Sequence, residues 1–178
     1  MRLIDGSERT TWTIDVGGLS RSDLIERLDA HGIHRNPFAG VLLADAVFDD
    51  AARETVTVVE RSVADLGFPD GATLPRVFDA AARHGLGLCP PVTAPYLRLA
   101  TLDQANAPDS ILSTGRAPTG SVNVASPVLR ADHDYPKGFY LRVIEGVPWL
   151  RGYRCDDEHV LSPGDRFAFR ALACGPNS

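Results

Sequence analysis

Residues 139–144 and 147–153 form two alternating runs separated only by Glu145-Gly146. A two-residue loop there sets Ile144 opposite Val147, Arg142 opposite Trp149 and Tyr140 opposite Arg151. Successive side chains alternate across a strand. Phe139, Leu141, Val143, Leu150 and Gly152 therefore fall on one side, and Tyr140, Arg142, Trp149, Arg151 and Tyr153 on the other. A three-residue loop with Gly146 in a bulge suits the glutamate better, but it puts Trp149 and Arg151 beside Leu141 and Phe139 and mixes charge into an apolar face. Segregation of the faces decides for the shorter loop. The chemistry open to the second face is recognition, with arginines binding a carboxylate or phosphate while the rings stack on an apolar body. The same residues also fit a solvated sheet face on which Arg packs over Trp and Tyr. From the sequence both readings stay open.

Other side chains are weaker candidates. His159 follows the acidic run Asp156-Asp157-Glu158 and precedes a strand, so it is the candidate general acid or base if the fold brings it over the arginine face. Arg98 follows the proline-rich stretch, and an inward guanidinium needs a partner such as Asp103 or Asp165. A core-edge ion pair is the favoured reading, with ligand contact as the alternative. Gln104 is a candidate ligand contact only. Cys89 has no helix start or adjacent base to lower its pKa, so a buried inert thiol is expected. The five histidines lack the close helical spacing of paired metal ligands, and no metal or cofactor is expected. Phosphate-loop, dinucleotide-glycine and Gly-x-Ser-x-Gly motifs are all missing from the sequence.

These residues need elements to position them. Residues 12–16 alternate before Gly17-Gly18 and read as a strand. Ser20 caps a helix whose stripe is Leu24, Ile25 and Leu28, ending near Gly32. Asn36-Pro37 starts a second helix with Phe38, Val41, Leu42 and Ala46 at helical spacing. Residues 55–59 are β-branched and read as a strand. Thr73 and Pro75 open a third helix with Val77, Phe78 and Ala81 on its buried side, closed by Gly85. Residues 97–102 are expected as a strand entered through the rigid loop around Pro90, Pro91 and Pro95. Residues 105–120, rich in Pro, Ser, Gly and Asn, are expected as a long loop and the place for a lid. From Ser121 onward the pattern is β. The fold class expected is α+β, with N-terminal helices packed on a mainly antiparallel C-terminal sheet or partial barrel. It is expected as a single domain over 1–178, helix-rich in 20–85 and β-rich in 96–171.

With 178 residues, 44% hydrophobic and 23% charged, a folded core is expected rather than disorder. The net charge of −5 disfavours nucleic acid as a partner. Residues 1–10 lack the apolar stretch of a secretory signal and no later run suits a bilayer, so a cytoplasmic protein is expected, without membrane partners. Cys89, Cys155 and Cys174 are odd in number and widely spaced, which suits reduced thiols.

The stretches Leu86-Gly87-Leu88-Cys89-Pro90, Tyr96-Leu97-Arg98-Leu99, Asp103-Gln104, Ala117-Pro118-Thr119-Gly120-Ser121, Pro136-Lys137-Gly138-Phe139-Tyr140-Leu141-Arg142 and Trp149-Leu150-Arg151-Gly152-Tyr153 resemble a family of small, functionally uncharacterised bacterial proteins. The resemblance covers most of the chain. Some members carry a helicase label, which this sequence does not support, having neither a phosphate loop nor a basic track for a strand. The family pattern has an acidic residue and a histidine where this chain has Pro91-Val92-Thr93-Ala94-Pro95-Tyr96, so a role for those polar residues is lost or changed here.

The functional expectation is a cofactor-independent enzyme acting on a partly apolar small molecule, an isomerase, cyclase or hydrolase of specialised metabolism. Tyr140, Arg142, Trp149, Arg151 and Tyr153 line its site, Arg98 and Gln104 border it, and His159 is the acid or base. The alternative is a non-catalytic ligand-binding or protein-interaction module, for which a homodimer is one arrangement.

Overall fold

The computed structural model describes residues 2–5, 9–49, 51–104 and 120–173. Along the chain lie β1 (Arg2–Asp5), β2 (Arg9–Val16), α1 (Arg21–Ala30), β3 (His34–Arg35), α2 (Pro37–Leu43), β4 (Glu54–Ser62), β5 (Ala72–Thr73), α3 (Leu74–Arg83), β6 (Leu86–Gly87), α4 (Thr93–Ala100), β7 (Val122–Val124), β8 (Gly138–Ile144), β9 (Val147–Tyr153), β10 (Val160–Leu161) and β11 (Arg166–Ala171). No helix among the described residues is long and apolar enough to cross a membrane.

The main sheet runs β1-β2-β4-β11-β7-β8-β9-β3, with β6 joining β11 at one end. Its pairs are antiparallel except β11–β7 and β3–β9. The fold is α+β, as expected, but N-terminal β2 and β4 belong to the same sheet as the late strands rather than to a separate helical region. Alternation along each strand feeds two cores. On one face Val56, Val58, Phe139, Leu141, Leu150 and Ala168 pack with Leu24 and Leu28 of α1, Leu42 and Leu43 of α2 and Leu97 of α4. On the other, Val59, Phe167 and Phe169 pack with Leu74, Val77, Ala80 and Ala81 of α3. β5 and β10 form a separate two-stranded ribbon.

The helix starts follow from their caps. Ser20 Oγ accepts from Asp23 N at 3.1 Å at the start of α1. Asn36 does more. Its Oδ1 accepts from Ala39 N (3.0 Å) and from Gly152 N (2.8 Å), and its Nδ2 donates to Gly152 O (2.9 Å). The asparagine amide thus continues the β3–β9 pairing by one step and then caps α2, which fixes that helix on β9. The approach is close: a Cβ on Gly152 would lie 2.6 Å from the Phe38 carbonyl carbon. The stripe expected on α2 shifts accordingly, with Ala39, Leu42 and Leu43 buried and Val41 exposed.

One expected element is of the wrong type. Residues 97–102, expected as a strand, fall on α4, Thr93–Ala100, and the turn after it. Pro95 sits in the first turn of α4, where a backbone N–H has no intrahelical acceptor, so the ring costs the helix nothing there. Tyr96-Leu97-Arg98-Leu99-Ala100 then continues with good helix formers. The loop expected over 105–120 lies, but for Gly120, outside the described residues.

Candidate ligand-binding site

β8 and β9 pair with Ile144 opposite Val147, Arg142 opposite Trp149, Tyr140 opposite Arg151 and Gly138 opposite Tyr153. The two-residue loop is therefore the one formed, with Glu145 at φ 51° and Gly146 at φ 77°, the paired left-handed conformation that matches strand twist. Phe139, Leu141 and Leu150 enter the first core. Tyr140, Arg142, Trp149, Arg151 and Tyr153 share the other face, and neighbouring strands extend it. β7 sets Asn123 beside Tyr140 and β11 sets Phe167 beside Asn123, so the polar face runs into the second core. At the opposite edge β3 sets His34 beside Trp149, their rings 5.1 Å apart and edge-on.

This face is not a solvated one. Tyr140 is 7% exposed and Arg142 only 2%, while Trp149, Arg151 and Tyr153 are half-buried. The Arg151 guanidinium lies over the Trp149 ring at 5.0 Å and the Tyr140 ring at 5.9 Å. Tyr153 leans on Tyr140 with centroids 6.4 Å apart, and its ring passes over Gly138, which has no side chain to obstruct it. Burial raises the pKa of both phenols. For Tyr140 the nearby Arg151 and then Arg142 partly offset that rise.

Among the described residues, four of the eight buried side-chain polar atoms without hydrogen-bond partners lie on this face, Nε and Nη2 of Arg142, Nε of Arg151 and Oγ of Ser121; the others belong to Arg21, Arg35, Thr93 and Arg98. Continuing the β7–β8 register by one residue brings Ser121 level with Arg142. Buried polar groups are ordinarily paired, and a buried guanidinium without a carboxylate is costly, so such a cluster calls for a reason.

Arg98 and Gln104 lie beneath the hairpin rather than on that face. Arg98, 0% exposed, donates from Nη1 to Gln104 Oε1 (2.7 Å), Arg142 O (3.2 Å) and Trp149 O (3.4 Å), and from Nη2 to Thr101 O. Gln104 Nε2 donates to Gly120 O (2.9 Å) and Leu141 O (3.2 Å). Carbonyls and Gln104 engage the two terminal nitrogens of the guanidinium, while its Nε has no hydrogen-bond partner among the described residues. Burial lowers its pKa to about 10, with Asp103 opposing the change. Both side chains thus brace the backbone behind the site.

His159 immediately precedes β10 of the separate β5–β10 ribbon, with its backbone N–H donating to Asp156 Oδ1 at 2.7 Å. The imidazole seated against the ring-bearing face is that of His34. Sequence reasoning did not place it there because β3 is only two residues long and its partner is over a hundred positions away. A wide groove of about 480 Å³ opens elsewhere, on the first core's side, among Asp15, Arg27, His31 and Tyr96. Asp15 there is already engaged by Thr55 Oγ1 at 2.7 Å and Arg53 at 3.2 Å. Cys89 and Cys155 are free thiols, and burial holds Cys89 up at about 12, as suits an inert sulfur.

Comparison with protein-family models, curated proteins and solved structures finds no match.

Proposed function

We propose that the protein binds a partly apolar small molecule bearing an anionic group on the second face of the β8–β9 hairpin. One observation carries this reading: Arg142 is 2% exposed, its Nε and Nη2 have no hydrogen-bond partner among the described residues, and it stands opposite Trp149. A core position filled for stability alone favours an apolar side chain, whereas a ligand site keeps a few uncommitted polar groups among rings. Ligand-observed NMR against a collection of small aromatic and aliphatic acids, amides and alcohols tests it. Molecules whose signals respond to the wild-type protein are expected to lose that response with Arg142→Ala and Arg151→Ala, and unchanged affinity in both variants removes the face as the site.

A second reading, catalysis without a cofactor, draws support from His34, whose ring meets Trp149 at the exposed rim. An imidazole there is placed to move a proton on a molecule held by the face. If the bound molecule is isomerised, cyclised or hydrolysed, His34→Ala abolishes turnover while binding persists. A bound molecule recovered unchanged leaves binding as the whole function.

A further inference from the structure

A guanidinium presents its Nε–H and one terminal N–H in parallel along a single edge, and that edge forms a paired hydrogen bond with the two oxygens of one anion. The two unpartnered nitrogens of Arg142 are Nε and Nη2, the members of that edge. Packing faults would strand donors without regard to geometry. Among the described residues Arg21, Arg35, Arg98 and Arg151 each leave one buried nitrogen without a partner, and Arg142 alone leaves both members of one edge.

The surroundings limit the charge this fork can serve. Arg98 has both terminal nitrogens engaged with backbone carbonyls and Gln104, and Arg151, with only its Nε unpartnered among the described residues, lies over the Trp149 and Tyr140 rings, so neither offers a paired edge. One uncommitted, buried fork suits one negative charge, since a second charge on the same group would be desolvated without compensation. Neutral donors complete the set. Ser121 Oγ is buried, unpartnered and level with Arg142, and Tyr140 keeps its phenol proton because burial raises its pKa. Beyond Arg142 the face offers the half-buried Trp149 and then the exposed His34, whose ring meets the indole edge-on, a run of rings leading outward.

We propose that the ligand is a carboxylic acid with a flat unsaturated body, its carboxylate taken side-on by the Nε–Nη2 edge of Arg142 and its body lying along Trp149 toward His34. This inference rests on the binding function proposed above and narrows it.

The test uses three probes of one shape on the full chain: naphthalene-2-carboxylate, naphthalene-2-carboxamide and 2-naphthyl phosphate. NMR follows the Arg142 Nε–H and Trp149 indole N–H resonances of the wild-type protein, so the result does not depend on a variant folding. The carboxylate is expected to move the Arg142 Nε–H downfield, shift the Trp149 indole and bind at least about ten-fold more tightly than the amide. Arg142→Lys, which keeps the charge and loses the fork, is expected to weaken the carboxylate by about ten-fold and leave the amide unchanged. Equal affinity for acid and amide, with the Trp149 indole still shifting, overturns the carboxylate assignment and leaves the binding function standing. Tighter binding of the phosphate has the same consequence. A Trp149 resonance that no probe moves overturns both.

Discussion

Arg142 and Trp149 face each other across the β8–β9 hairpin, and the backbone carbonyls of both accept from the same nitrogen, Nη1 of Arg98, at 3.2 and 3.4 Å. One buried guanidinium thus holds the backbone of the pair whose side chains make the opposite, ring-bearing surface. The two arginines are chemically alike and differently used: both terminal nitrogens of Arg98 are engaged and only its Nε is left over, whereas Arg142 has no partner among the described residues for either Nε or Nη2.

Arg98→Met removes the donors to Thr101, Arg142, Trp149 and Gln104 together. Loss of about 2–4 kcal/mol of stability is expected, because carbonyls remain buried without those donors. Urea unfolding measures it. A loss below about 0.5 kcal/mol, the range of ordinary surface changes, would mean that Arg98 does not brace the hairpin.

Arg142→Met is expected to act in the opposite direction. An unpaired buried charge is a liability to folding, so an apolar side chain of similar length should raise stability by about 1–2 kcal/mol while ligand binding is lost. The same urea experiment decides. Marked destabilisation would show that Arg142 serves the fold rather than a ligand.

Glu145 takes a positive φ of 51° in the hairpin loop, a conformation that asparagine adopts more readily than glutamate. Glu145→Asn is expected to stabilise the protein by about 0.5–1 kcal/mol without altering ligand affinity. Thermal unfolding of the pair of proteins gives the answer, and a fall in midpoint would contradict the loop geometry.

Cys89 is buried, and its thiol donates to Ala168 O at 3.7 Å, with the pKa raised by burial to about 12. The unfolded thiol releases its proton from about pH 9 while the folded one retains it. Between about pH 9 and 12 the unfolded chain therefore binds fewer protons, and stability falls as pH rises. Tyr153 and Tyr140, also raised by burial, add to that fall at higher pH. Arg98, lowered to about 10, has the opposite sign but is common to wild type and Cys89→Ala, so it cancels in their difference. Cys89→Ala is expected to show the flatter decline of urea midpoint over that window. Equal slopes would rule out a retained thiol proton.

The hairpin register and the partition of its faces were legible in the sequence because a period of two is strict: any slip by one residue would have mixed Arg151 with Phe139. The caps at Ser20 and Asn36 were legible for a similarly local reason. α4 was not, because Pro95 reads as a breaker unless the helix start is known, and that start, after Val92, carries no side-chain cap to mark it. The role of Arg98 was hidden for the same reason. On a strand it suggested an ion partner, whereas on α4 it reaches the carbonyls of β8 and β9. His34 was missed because its place depends on the parallel pairing of a two-residue strand with β9, a contact no local pattern encodes.

The claim that the ring-bearing face receives a ligand is tested most directly at Trp149 itself. Trp12 and Trp149 are the only tryptophans, so Trp149→Phe assigns the two indole N–H resonances, and a library of small molecules is then screened against the labelled wild-type protein. Binders are expected to shift the Trp149 resonance, leave that of Trp12 in place, and lose their effect in Arg142→Ala. A Trp149 signal that no compound moves, or shifts that persist unchanged in both Arg142→Ala and Arg151→Ala, would contradict a binding surface there.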